Sequence, residues 1–174
     1  DKEGLSVARI PRLSDFNQHF DAKTEVRPIA IEDLLGRPQT TLDRNAMQSL
    51  VEGKTVLVTG AGGSIGGELS RQIAGYHPKK LVLMDSCEHH VYQIGRALPD
   101  AIPLLGDVRD VALLDHMLTE HQPEVVFHAA AVKHVPLSEE NPEEAVLTNV
   151  FGSANVANAC VKHNVSIMVM ISTD

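Results

Sequence analysis

Tryptophan is absent from this sequence, aromatic residues make up only 3%, and the two cysteines, Cys87 and Cys160, are far apart. Without CxxC spacing neither a metal ribbon nor a disulfide framework has support, and a reducing cytoplasm is the expected compartment. His89 and His90 stand beside Cys87 and Glu88. Neighbours in sequence on a helix do not point together, however, and no HExxH pair occurs, so no metal is expected. Clustered Lys and Arg are also lacking. A formal charge of −8 over 174 residues argues against a nucleic-acid surface, which needs a basic patch to neutralise phosphates. No run of about 18 apolar residues is present, and DKEGLSVARI has neither the apolar core nor the cleavage pattern of a signal peptide, so this piece is expected to be soluble. Internal repeats and low-complexity tracts are missing. So is GxSxG, which leaves a serine-hydrolase elbow unsupported.

What is present is ordinary globular material, 43% hydrophobic and 22% charged, long enough for one sizeable core. Residues 1 to about 50 are mixed and polar, interrupted by Pro11, Pro28, Gly36 and Pro38, with one short apolar group at Ile29, Ile31, Leu34 and Leu35. They read as a leader of loops and short helices packed on a main body that begins at residue 51.

From Lys54 onward short β-branched runs alternate with helical periodicity. The runs are Thr55 to Thr59, Leu81 to Met84, Ala101 to Leu105, Val125 to Phe127 and Ser166 to Ile171. Each is apolar on both faces, as buried parallel strands are. Pro103 marks the third as an edge strand, because proline cannot donate to a ladder on both sides. Helical spacing covers Ser64 to Ala74, Glu88 to Leu98, Val111 to Glu120 and Glu143 to His163. Strand and helix repeated this way predict right-handed crossovers and an α/β, Rossmann-type doubly wound parallel sheet of about five strands, with ligands bound beyond the strands' carboxyl ends.

The strongest motif is Thr59-Gly60-Ala61-Gly62-Gly63-Ser64-Ile65-Gly66, after the first strand and opening the first helix. Gly60 permits a tight turn, Gly63 lets the backbone approach a pyrophosphate, and Gly66 lets helix pack closely on strand. Gly53-Lys54-Thr55 imitates the end of a nucleoside-triphosphate loop. It fails because Gln48 stands where that loop needs glycine and because the triplet precedes the strand. Asp85 ends the second strand, where a dinucleotide site places a carboxylate on the adenine ribose, an arrangement favouring NAD over NADP; the alternative is a helix cap. Asp107 and Val108 follow the third strand with one polar and one apolar contact for adenine. Ala129, Ala130 and Ala131 follow the fourth and leave room for the middle of a cofactor. Lys133 and His134, just beyond, are candidate phosphate and ribose ligands, or else solvated loop residues.

Taken together, VLVTGAGGSIGGEL, KLVLMD, LLGDVRD, PEVVFHAAAVKHVPL, NPEEAVLTNVFGSANV and ISTD resemble the extended short-chain dehydrogenase/reductases, specifically the UDP-N-acetylglucosamine 4,6-dehydratases of bacterial polysaccharide and glycan biosynthesis. The likeness covers residues 50 to 174, and RPIAIEDLLGRPQTTLD is similar to the segment preceding the catalytic domain in larger, membrane-anchored members. The resemblance implies NAD or NADP bound by Gly60, Gly62, Gly63, Ser64, Ile65, Gly66, Asp85, Asp107, Val108, Ala129, Ala130, Ala131, Lys133, Asn149 and Ser172. It also implies a UDP-sugar touching Lys133 and His134, and a catalytic set beginning at Thr173 and Asp174. A homo-oligomer on the cytoplasmic side of the membrane is implied as well. The family continues with a Lys after the Asp, then a Tyr or Met ahead of a second Lys. With the chain stopping at Asp174, the expectation is a cofactor-binding half that is inactive alone. A nucleotide-sugar epimerase or reductase, and a non-catalytic NAD(P)-binding domain, are the competing functions.

Overall fold

A computed structural model describes residues 44–172 and, before them, two strands of two residues each, Ala8–Arg9 (β1) and Arg27–Pro28 (β2), which pair antiparallel. The remainder of the expected leader lies outside the described residues. The chain divides into two units, Asp1–Leu42 and Asp43–Asp174. That division comes earlier than residue 50 because the helix Arg44–Val51 (α1) ends on Val51, which is fully buried in the core of the second unit with Val56, Val58 and Ile73.

In the second unit Thr55–Thr59 (β3), Lys80–Asp85 (β4), Ile102–Leu105 (β5), Val125–His128 (β6) and Ile167–Met170 (β7) form a parallel sheet in the order β5-β4-β3-β6-β7. The helices Ser64–Ala74 (α2), Glu88–Ala97 (α3) and Val111–His121 (α4) follow β3, β4 and β5. This is the expected doubly wound α/β sheet. Its period-two alternation sorts the core into two layers. Val56, Val58, Leu81, Leu83, Val125 and Phe127 face α1, α2 and α3 through Val51, Ile73 and Ile94. Leu57, Val82, Met84 and Val126 meet Leu114, Met117 and Leu118 of α4 on the other face, together with Val156, Ala159 and Cys160. Burial pushes the Cys160 thiol up to about 11 and so keeps it protonated.

Two expectations change. The fifth run and the third are not buried on both faces: Leu105 in β5 and Met170 in β7 are exposed, since each strand stands at a margin of the described sheet with a neighbour on one side only. β5 is the edge strand that Pro103 foretells. The single helix expected over residues 143 to 163 is three segments, Pro142–Val146 (α6), a π-helical stretch Leu147–Gly152, and Ser153–Lys162 (α7). A further short helix, Val135–Glu140 (α5), follows the loop of Lys133 and His134. Among the described residues no helix is long and apolar enough to cross a membrane.

Candidate functional site

The site grows from the turn after β3. Gly60 adopts φ +68°, and a Cβ there would lie 2.6 Å from the Ala130 backbone nitrogen, so both conformation and space demand glycine. A Cβ on Gly66 would reach 2.0 Å from the Gly60 carbonyl oxygen, which is how α2 packs against the turn. Gly62 is closed off by α3, because its Cβ would fall 2.2 Å from His90 Cβ. Gly63 is the open one, meeting only the Gly60 carbonyl at 3.3 Å. It precedes α2, whose N-terminus has no side-chain cap. The first N–H groups of an eleven-residue helix thus point outward from a glycine turn, the arrangement that holds phosphate.

Two cavities flank this turn at the carboxyl ends of the strands. One, about 380 Å³, is lined by Gly60, Gly63, Asp85, Asp107, Val108 and Arg109 among others. The other, about 760 Å³, runs from Gly62, Ser64, Ile65 and Gly66 to Lys133, His134, Asn149 and Ser172. Both touch Gly63, His90 and Ala129 to Val132, so they meet across the glycine turn. The structure thereby brings the described residues singled out from the sequence to one edge of the sheet. Thr173 and Asp174 lie outside the described residues.

Several of these side chains are already engaged. Asp85, 8% exposed, accepts from the Gly62 N–H through Oδ2 and from the Cys87 N–H through Oδ1, both at 3.0 Å. It therefore ties the glycine turn to the start of α3, where the cap residue itself is Cys87. Asp107 accepts from Arg109 through its N–H (2.9 Å), Nε (2.8 Å) and Nη2 (2.6 Å). That guanidinium, which also pairs with Glu144, holds the Asp107 carboxyl below its ordinary value. Asn149 grips the loop after β6: Oδ1 accepts from the Val132 N–H and Nδ2 donates to the Val132 carbonyl, each at 2.8 Å.

Sequence reasoning missed the floor and one wall of the site. His128, at the end of β6 and 1% exposed, sits with Nδ1 2.7 Å from Thr59 Oγ1 and Nε2 2.9 Å from Ser153 Oγ. Burial lowers its pKa, so the ring is neutral, one nitrogen donating and the other accepting. His90 lines both cavities from the first turn of α3. A histidine four residues from the buried Ile94 gives no sign in sequence of which neighbour it meets. Among the described residues no group of His, Cys, Asp and Glu could hold a metal.

A parallel doubly wound sheet with an uncapped helix start behind a glycine turn, and a carboxylate closing the next strand, defines a dinucleotide-binding Rossmann domain. The chain belongs to the family described as "Polysaccharide biosynthesis protein", which it matches over residues 56–174. It is 40% identical over 180 residues to "Probable polysaccharide biosynthesis protein EpsC" of Bacillus subtilis (strain 168), covering 99% of this chain and 30% of that protein. It is 34% identical to "UDP-N-acetylglucosamine 4,6-dehydratase (inverting)" of Campylobacter jejuni over 124 residues, 70% of this chain and 36% of that one. Among solved structures it resembles the UDP-glucose-4-epimerase of Stenotrophomonas maltophila with bound NAD and formylated UDP-arabinopyranose. There the TM-score is 0.63 at 28% identity, over 69% of this chain and 37% of that one. The chain therefore spans about a third of the length of the proteins it matches.

Proposed function

We propose that this chain is the cofactor-binding half of an NAD(P)-dependent nucleotide-sugar 4,6-dehydratase that converts UDP-N-acetylglucosamine to a UDP-4-keto-6-deoxy sugar in bacterial polysaccharide biosynthesis. The observation that carries it is the uncapped N-terminus of α2 behind Gly60 and Gly63, opening on two joined cavities. The first N–H groups of α2 would hold the pyrophosphate, Asp85 and the Asp107–Val108 turn would face the adenosine, and the small side chains of Ala129 to Ala131 would leave room for the centre. Relatives that are named for nucleotide-sugar chemistry supply the substrate class.

A bound nicotinamide dinucleotide would supply reversible hydride transfer, oxidation at C4 of the sugar and reduction at C6, which leaves proton movement and positioning to the protein. Oxidation at C4 acidifies the C5 proton, and loss of the C6 hydroxyl then needs an acid. Asp174, two residues past Ser172, is assigned that role, with Thr173 beside it. A carboxyl group buried against a bound cofactor stays protonated, as a proton donor at neutral pH must. Lys133 and His134, both exposed on the rim of the larger cavity, approach the sugar diphosphate. The enzyme works in the cytoplasm as a homo-oligomer.

The second reading is a 4-epimerase, favoured by the likeness to the epimerase structure. Incubating the intact protein with UDP-N-acetylglucosamine and following the sugar by NMR separates the two. A 4-keto-6-deoxy product is expected; a C4 epimer retaining its C6 hydroxyl would establish the epimerase. An unchanged sugar in the presence of bound dinucleotide would reduce the chain to a binding domain.

A further inference from the structure

His90 belongs to neither the glycine turn nor the strand ends, yet it stands where they meet. Its Cβ abuts Gly62 so closely that no larger residue fits there. Its Nδ1 is 3.5 Å from Asp85 Oδ1, its side chain is 44% exposed, and it lines both cavities. Asp85 already accepts two backbone N–H groups, so its carboxylate charge is partly satisfied before any ligand arrives. We propose that His90 is a cofactor-recognition residue that sets the balance between NAD and NADP: neutral, it leaves Asp85 to repel a 2′-phosphate; protonated, it pairs with Asp85 and presents a positive charge to that phosphate. The proposal rests on the dinucleotide reading above.

Other charged or titratable groups near the ring bear on this. Asp85 faces it from β4, and the glycine turn offers only backbone there. Beside it stand the cap residue Cys87 and, on α3 itself, Glu88 and His89, the last with its ring centroid 6.5 Å away. Across the smaller cavity Asp107, Arg109 and Glu144 are bound to one another, so Arg109 is a committed cation. Lys133, His134, Glu139 and the buried, neutral His128 line the larger cavity. Of these, His90 alone lines both cavities and pairs with Asp85. Histidine is also the side chain whose charge changes between about pH 5 and 8.

The test measures dissociation constants of NADH and NADPH for the intact protein at pH 8 and pH 6. Lowering the pH should shift the ratio toward NADPH by roughly two- to fivefold, the size expected of one half-exposed ion pair. H90F keeps the ring volume against Gly62 without the charge and should retain only what the 2′-phosphate's own second ionisation contributes. H90K, charged at both pH values, should favour NADPH throughout. A ratio that does not move in the native protein, or that moves as far in H90F, overturns the proposal while leaving the cofactor site standing. Failure of either dinucleotide to bind the native protein at millimolar concentration overturns both.

Discussion

Asp85 accepts from the Gly62 N–H and the Cys87 N–H, so one side chain fastens the glycine turn of β3 to the end of β4 and the start of α3. In sequence it offered two readings, ribose ligand or helix cap; the cap residue of α3 is Cys87, while the Asp85 carboxylate organises the turn and lines the smaller cavity. Asp85→Asn places an NH₂ group against one of those two N–H donors. Leaving a buried donor without its acceptor costs about 1–3 kcal/mol, so the variant should unfold correspondingly earlier in urea. It should also bind both dinucleotides more weakly, NADH by the larger factor, because the turn that holds the pyrophosphate is loosened for both while the charge that repels a 2′-phosphate is gone. Loss confined to NADH with native stability would restrict Asp85 to the ribose. The role of Gly60 and Gly66 is legible in sequence because the motif's own turn already demands them, Gly60 by its positive φ and Gly66 by the Gly60 carbonyl it meets. The tight contact of Gly62 with His90 is not, since it depends on where α3 lands after a β-strand has intervened.

At the scale of elements, helical periodicity locates α2, α3 and α4 well, and the burial of Leu114, Met117 and Leu118 follows their spacing. It also runs unbroken through residues 143 to 163, where the structure inserts a π-helical stretch. Periodicity cannot register that wider turn, because what accompanies it is tertiary: the Asn149 clamp on Val132, and Gly152 so near Val108 that a Cβ would lie 2.7 Å from its methyl carbon. The same segment leads into Ser153, which reaches His128 and so couples α7 to β6 and, through Thr59, to β3. Burial lowers the His128 pKa, so the unfolded chain takes up its proton at a higher pH than the folded one. Stability from this residue is therefore undiminished above the unfolded value, about 6.5, and falls as pH drops below it toward the folded pKa. Urea unfolding between pH 7.5 and 5 should show that decline. In His128→Gln the overall stability should be lower at pH 7.5 but the slope against pH shallower. An identical slope in the variant would mean that other histidines account for it.

For the molecule as a whole, the sheet order puts β4 on one side of β3 and β6 on the other, so the chain reverses direction across the sheet at β3. Ligands of open α/β sheets bind at that reversal, beyond the carboxyl ends, and both cavities lie there. The larger one extends past the glycine turn to Met170, Ile171 and Ser172. If Asp174 is the acid of the proposed dehydration, then Asp174→Asn in the full-length protein should preserve oxidation at C4 and block departure of the C6 hydroxyl, because an amide has no proton of suitable acidity to give. General acid catalysis is typically worth about 10²- to 10⁴-fold, so the deficit should be large and confined to one step. Incubated with UDP-N-acetylglucosamine, the variant should show dinucleotide reduction by absorbance and exchange of the C5 proton by NMR, while the 4-keto-6-deoxy product accumulates at least a hundredfold more slowly. Dehydration at the native rate would remove Asp174 as the acid. Loss of the initial oxidation as well would place it in positioning the sugar rather than in protonating the leaving group.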